Sequence, residues 1–310
     1  MKDKMNDLES YESEIEELNR ATTRLIKEAR SSKDIRMAKD AVADLADAAR
    51  TLEPYDKFKK ATIFGSARVT PDSRTYNLAF EMAKYLAEEG FIVVTGGGPG
   101  VMEAGLKGVG SGIGVGIAIE LPFEAFSDEK IKSNGWPVSK QRLFFTRKLS
   151  MVRHIQAFIA APGGYGTLDE LFEVLTLLQT GKSKPAPVIL LEDEANPMWS
   201  ALVEFINSFL VPMELINPID AKIMKVTSDP KEAIEHIKAF YKNFDSLHQE
   251  EEMVTINYKS TLKIDSLEAI AMIEGVNGVV TDYPNVKKII FKLDLRKWVN
   301  LYKIIEIINA

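Results

Sequence analysis

The chain has no cysteine among its 310 residues, which removes disulfides, thiolate catalysis and Cys-ligated zinc from consideration. Histidine is scarce as well. His154, His236 and His248 are the full complement, and none follows H-x-x-x-H or H-E-x-x-H spacing, so no metal centre is expected. No run approaches the ~18 consecutive apolar residues of a membrane span. The opening segment Met1-Lys2-Asp3-Lys4-Met5-Asn6-Asp7 has no apolar signal core. Positive charge is in deficit: 39 Lys and Arg against 45 Asp and Glu give a net charge of −6, with pI ≈ 5.4. Neither nucleic acid nor an anionic membrane is therefore expected as a partner. At 45% hydrophobic the chain can bury one large core with additions, as a soluble cytoplasmic protein.

Glycine, by contrast, is concentrated at two turns. Ala157-Phe158-Ile159 reads as a buried strand; Pro162-Gly163-Gly164-Tyr165-Gly166-Thr167-Leu168-Asp169-Glu170 follows it and runs into an amphipathic helix with Leu171, Val174, Leu175 and Leu178. Glycines at a strand-to-helix turn let the backbone approach a ligand, and the helix N-terminus adds a positive dipole end. The turn is built for an anion such as phosphate. Glu170 lies a helical turn further on, where a carboxylate would face whatever the phosphate carries. The second turn, Gly96-Gly97-Gly98-Pro99-Gly100, follows the strand Phe91–Thr95 and precedes a helix. It is not the dinucleotide fingerprint, since reading from Gly98 puts Glu103 at the third glycine, and it is not a P-loop. It either closes a tight βα turn or forms a second anion cradle.

Two further elements point the same way. Ala61–Phe64 reads as a strand ending in Gly65-Ser66-Ala67-Arg68, a hydroxyl and a guanidinium at another strand terminus, where open parallel sheets bind ligands. Arg147, in Phe144-Phe145-Thr146-Arg147-Lys148, is either a solvated helix charge or a ligand-facing cation.

These motifs together resemble the LOG ("Lonely Guy") family of nucleoside 5′-monophosphate phosphoribohydrolases. The resemblance rests on Gly96–Ala104, on Arg147-Lys148 with Met151, and on the P-G-G-x-G-T-x-x-E pattern of Pro162–Glu170. Gly65-Ser66-Ala67-Arg68 and Gly181-Lys182-Ser183-Lys184-Pro185 match further landmarks. It covers roughly residues 58–243 and leaves 1–57 and 246–310 outside.

Along the chain, strands expected near 61–65, 91–95, 113–119, 155–161, 187–191 and 223–226 alternate with amphipathic helices. This predicts an α/β fold, a doubly wound, Rossmann-like parallel sheet over residues 58–245. Ahead of it, residues 1–57 form an expected helical hairpin with two apolar seams. One seam runs through Leu8, Tyr11, Ile15, Leu18, Thr22, Leu25 and Ala29, the other through Ile35, Ala38, Val42, Leu45, Ala49 and Leu52. Glu9, Glu12, Glu14, Glu16 and Glu17 read as a solvated face. The connection 120–138 is long and is expected to wall or cover the site, with Phe123 and Trp136 as aromatics able to stack or simply pack. Residues 246–310 read as β-α-β-β-α, a small ferredoxin-like module.

The expected reaction is hydrolysis of the N-glycosidic bond of AMP or an N6-modified AMP, such as a cytokinin riboside monophosphate, to free base and ribose 5-phosphate. Glu170 would stabilise the oxocarbenium-like state and handle the attacking water, the role the resemblance also implies. Arg147 would hold phosphate or base and balance Glu170. Gly163, Gly164, Gly166 and Thr167 would cradle the phosphate, with Gly65, Ser66 and Arg68 assisting and Gly97, Gly98 and Lys148 as further substrate-binding candidates. Glu103 and Glu120 are candidates either for ribose or base contacts or for structural roles. No cofactor is expected. The alternative is a non-catalytic carrier of a nucleotide or of molybdenum cofactor, which would not need Arg147 and Glu170. Nothing suggests the pyridoxal phosphate lysine of a decarboxylase. The resemblance also implies a homo-oligomer, a dimer or higher.

Overall fold

The computed structural model describes residues 2–120, 135–263 and 265–310, with side chains from residue 11 onward. Two helices open the chain, α1 (Lys2–Glu28) and α2 (Ser32–Leu52). Ser31 caps α2 by accepting from the Asp34 N–H.

The central layer is a seven-stranded sheet. Its strands are β1 (Lys60–Phe64), β2 (Ile92–Thr95), β3 (Gly114–Ile119), β4 (Val138–Gln141), β5 (Ala157–Ala160), β6 (Val188–Leu191) and β7 (Met224–Thr227). They lie in the order β4-β3-β2-β1-β5-β6-β7, every pair parallel. The connecting helices are α3 (Arg74–Glu88), α4 (Val101–Gly108), α5 (Phe144–Val152), α6 (Tyr165–Gln179), α7 (Met198–Phe205) and α8 (Pro230–Phe240).

Residues that alternate along a strand enter different cores, because successive side chains point to opposite faces. Ile63, Val93, Ile159 and Ile189 pack with Leu78, Met82 and Ile237 on one face. Phe64, Val94, Phe158 and Val188 pack with Leu171, Val174 and Trp199 on the other. Both faces are covered, which explains why these strands read as unbroken apolar runs. Strand β4 was not among the expected strands. It occupies the edge beside β3, at the end of the connection assigned to a wall or lid. Residues 121–134 of that connection, including Phe123, lie outside the described residues; Trp136 is half-buried.

The C-terminal module contains β8 (Phe244–Glu250), β9 (Met253–Tyr258), α9 (Ser266–Ala271), β10 (Val276–Tyr283), β11 (Lys288–Leu293) and α10 (Leu301–Asn309). The expected β-α-β-β-α order is present, and β8 precedes it as an additional edge strand in the antiparallel order β10-β11-β9-β8. The module is not a separate globule. Val254, Ile256, Phe291, Trp298 and Ile304 share one core with Leu78, Met82 and Ile159. Trp298 Nε1 donates to the Ser183 carbonyl at 3.2 Å, and Tyr302 Oη to that of Ala186 at 2.8 Å.

The N-terminal helices depart from the expected hairpin. α2 packs on β4 and α5, whereas α1 has no extensive packing against any other element among the described residues. Leu8 and Glu9 fall where no side chain is described. The buried side of α2 is Asp44, Ala48 and Leu52, while Val42 of the expected seam is exposed.

Candidate active site

The sheet reverses its winding between β1 and β5. From β1 the chain builds outward through β2 and β3 to β4; from β5 it builds the other way to β7. Ligand crevices in open α/β sheets form beyond the strand C-termini at such a reversal. A cleft of about 710 Å³ lies there, lined by the β1 tip (Gly65, Ser66, Ala67, Arg68), Gly96 after β2, Met102, Arg147 and Met151, and the start of α6 from Gly164 to Glu170. Two backbone bonds stitch its floor: Ser66 N–H donates to Pro162 O at 3.1 Å, and Val101 N–H to Ser66 O at 3.0 Å.

Arg147 projects from α5 across the ends of two strands. Its Nε donates to Ile117 O at 2.9 Å and its Nη2 to Gly96 O at 3.2 Å. Residue 96 has to be glycine for this: a Cβ there would collide with Arg147 Nη2. The third nitrogen, Nη1, faces Glu170 Oε1 at 3.7 Å, with the two side chains only 12% and 14% exposed. Burial pushes the Glu170 carboxyl above its ordinary range, and the Arg147 charge works against that rise. Burial likewise pulls Arg147 down while Glu170 pulls it up; a guanidinium so placed stays protonated. Among the described residues no group donates a hydrogen bond to Glu170, so its carboxylate is open to a ligand or water.

At the other end of the cleft, α6 starts directly after Gly164 and no side chain caps its first N–H groups. Space beside the α-carbons of Gly164 and Gly166 is open, whereas Gly163 is packed tightly against Thr167 and the Ser66 backbone. Free N–H groups, a helix dipole and clear approach make an anion seat. Arg68 also lines the cleft, and among the described residues its guanidinium has no ion pair.

Of the residues expected from sequence, Gly65, Ser66, Arg68, Arg147, Gly164, Gly166, Thr167 and Glu170 meet in this cleft. Gly163 sits immediately behind it. Gly97 and Gly98 form the turn after β2, where Gly96 takes the lining position. Three candidates are held elsewhere. Glu103 pairs with Lys107 one helical turn on, at 2.8 Å. Lys148 bridges Asp169 and Glu173 at 3.0 and 2.8 Å, tying α5 to α6. The Glu120 side chain is exposed, and its backbone N–H donates to Gln141 O at 2.8 Å. Gly96, Met102, Tyr165 and Leu168 line the cleft without having been named as site residues, although Gly96 stands in the glycine turn read as a possible second anion cradle.

A family model described as "Possible lysine decarboxylase" matches residues 98–237. The chain is 31% identical over 190 residues to a probable cytokinin riboside 5′-monophosphate phosphoribohydrolase of Oryza sativa subsp. japonica, spanning 59% of this chain and 74% of the relative. It is 29% identical over 196 residues to a cytokinin riboside 5′-monophosphate phosphoribohydrolase of Arabidopsis thaliana, spanning 63% and 88%. A solved molybdenum cofactor carrier protein from Chlamydomonas reinhardtii aligns at 20% identity and a TM-score of 0.42, over 59% of this chain and 99% of that one.

Proposed function

Starting from a chain that belongs to the LOG family of cytokinin riboside 5′-monophosphate phosphoribohydrolases, we propose that it hydrolyses a nucleoside 5′-monophosphate. The substrate would be AMP or an N6-modified AMP, and the products free base and ribose 5-phosphate. The observation that carries this reading is the Arg147–Glu170 pair, buried at the switch-point cleft that the uncapped N-terminus of α6 also lines.

In this reading the 5′-phosphate sits on the α6 N-terminus between Gly164 and Thr167, with Arg68 as counter-charge. That seat points the ribose toward Glu170. As the C1′–N bond breaks, its electron pair leaves with the base and positive charge grows on the ribose ring. A fixed carboxylate beside that charge lowers the barrier, and the low-dielectric setting strengthens the effect. Water adds its oxygen to C1′. One water proton passes through Glu170, whose raised proton affinity suits it to accept and return a proton, and ends on the departing base. Arg147 keeps Glu170 ionised beforehand.

A decarboxylase of the pyridoxal phosphate type would need a lysine amine in the site, and no described residue lining the cleft is a lysine. The carrier alternative has no residue in its favour, since a carrier has no use for a buried Arg–Glu pair. Incubation with a panel of nucleoside monophosphates, following ribose 5-phosphate release, tests the reading; no release from any member would overturn it.

A further inference from the structure

The strongest buried polar cluster outside the cleft is centred on Asp44 of α2, which is fully buried in the middle of a helix. Its Oδ2 accepts from the Arg142 N–H at 2.8 Å, the Leu143 N–H at 3.0 Å and Thr146 Oγ1 at 2.8 Å. Its Oδ1 takes Arg142 Nη1 at 3.0 Å. Every one of these donors belongs to the first turn of α5 or to the residues just before it.

That turn cannot cap itself. Its cap position is Leu143, which offers no acceptor side chain, where Ser, Thr, Asp or Asn would normally serve. Asp44 anchors it from another helix instead, holding the N–H groups of Arg142 and Leu143 that lead into the turn and the Thr146 hydroxyl within it, and it places a negative charge at the positive end of the dipole. The connection onward is short. The carbonyl of Leu143, whose N–H is held by Asp44, accepts the Arg147 N–H at 3.2 Å. Arg147 must in turn reach Gly96 O and Ile117 O from α5, so its guanidinium depends on where α5 stands against β2 and β3. Asp47, one turn along α2, fixes the neighbouring strand by accepting from Ser139 Oγ and the Lys140 N–H, both at 2.9 Å.

We propose that Asp44 is a positioning residue for the active site: it anchors and places α5, and so sets the distance between Arg147 and Glu170 from a helix outside the family match. This rests on the assignment of Arg147 and Glu170 above. It gives residues 32–52 a part in the reaction that a merely packed extension would not have.

The test uses the full chain and AMP, or whichever monophosphate turns over best. Asp44→Ala should lower kcat about 10- to 100-fold, the range expected when a reacting group is misplaced by about 1 Å, with KM changed less than about 3-fold. A purely stabilising Asp44 could also lower active enzyme, so the pH profile decides. The charges acting on Glu170 are Arg147 and Lys148 from α5 and Asp169 and Glu173 from its own helix. When α5 shifts, the cations of that helix withdraw, Glu170 holds its proton more tightly, and the acid limb of kcat moves to higher pH. Asp44→Asn, similar in size but uncharged, should move the limb the same way by less, and serves where the alanine variant fails to fold. Backbone amide exchange over residues 142–147 should accelerate in either variant whether or not turnover is measured.

A wild-type acid limb in a folded Asp44 variant, or unchanged exchange over 142–147, overturns the proposal. Arg147→Ala run alongside separates the two ideas. If it keeps full turnover, the site assignment falls and takes the positioning role with it. If it is inactive while Asp44→Ala keeps wild-type kcat and pH profile, only the positioning role falls.

Discussion

Arg147 Nη1 stands 3.7 Å from Glu170 Oε1, too far for a hydrogen bond and near enough for strong charge coupling in a buried setting. The two side chains come from helices on either side of β5, one entering the strand and the other leaving it. Opposite charges held close but not joined leave the carboxylate able to meet a developing cation.

Glu170→Gln and Arg147→Ala should each lower kcat by about 100-fold or more, the loss typical for one well-placed electrostatic group, while far-UV dichroism stays that of the parent. The pH dependence follows from the sign of the Glu170 shift. Burial raises its pKa, and the reaction needs the ionised form, so kcat should fall with decreasing pH at values above those of an ordinary glutamate. Any residual turnover in Arg147→Ala should show that limb displaced further upward, because the charge opposing the rise is gone. Full activity of Glu170→Gln would remove the carboxylate from the mechanism.

Gly96 gives a more selective probe. A methyl at this position would meet the terminal nitrogen of Arg147 and the sulfur of Met102, both movable side-chain ends. Gly96→Ala should therefore cost little stability and much activity. We expect a Tm within a few degrees of the parent and kcat down by about tenfold or more. Equal kcat in the two proteins would mean that the guanidinium position is unimportant.

The phosphate seat separates substrates. AMP should be hydrolysed far better than adenosine, because the α6 N-terminus and Arg68 find no anion on the nucleoside. Arg68→Ala should raise KM for AMP about tenfold, as for loss of one charged hydrogen bond, with a smaller effect on kcat. Equal turnover of AMP and adenosine, or a strong preference for NAD, would contradict the seat.

The C-terminal module shares its core with the parallel sheet, and Trp298 is buried at the junction, packed against Gly181. Trp298→Ala should destabilise the chain by about 3–5 kcal/mol, the usual range for a buried tryptophan. Denaturant unfolding should remain a single transition, since both parts lose the same core. Two resolved transitions in the parent protein would show that the module folds on its own.

Sequence made the site easier to find than the edges of the fold. Strands β1, β2, β5 and β6 read as apolar runs because helices cover both faces, and the glycine-bearing tips of β1, β2 and β5 announced the cleft. Strand β4, Val-Ser-Lys-Gln, carries no such signal, because polar side chains on it turn to α2: Ser139 Oγ donates to Asp47, and Gln141 Nε2 to the Asp44 carbonyl at 3.0 Å. Strand β8 was hidden by a bulge between Phe244 and Ser246, which spaces its buried residues, Phe244 and Leu247, three apart where a regular strand would space them by two. The seam of α2 was misplaced for the same reason that β4 was missed. A periodicity that counts only apolar residues cannot see that the docking face is organised around a buried aspartate.

The helix α1 bears on assembly. Apolar residues along a helix are ordinarily covered, either by the chain's own domain or by another subunit. Within one chain Tyr11, Ile15 and Leu18 remain 65%, 42% and 55% exposed, and Ile26 is exposed beside them. Among the described residues α2, not α1, makes the extensive contact with the chain's own sheet and helices. A contiguous apolar stripe of this kind ordinarily marks an interaction surface; we propose that a second copy of the chain covers it. Light scattering of the full chain at micromolar concentration should give a dimer or larger species. Ile15→Glu combined with Leu18→Glu should lower the oligomeric order while leaving α2, Asp44 and the cleft in place. A monomeric parent protein would refute this assembly.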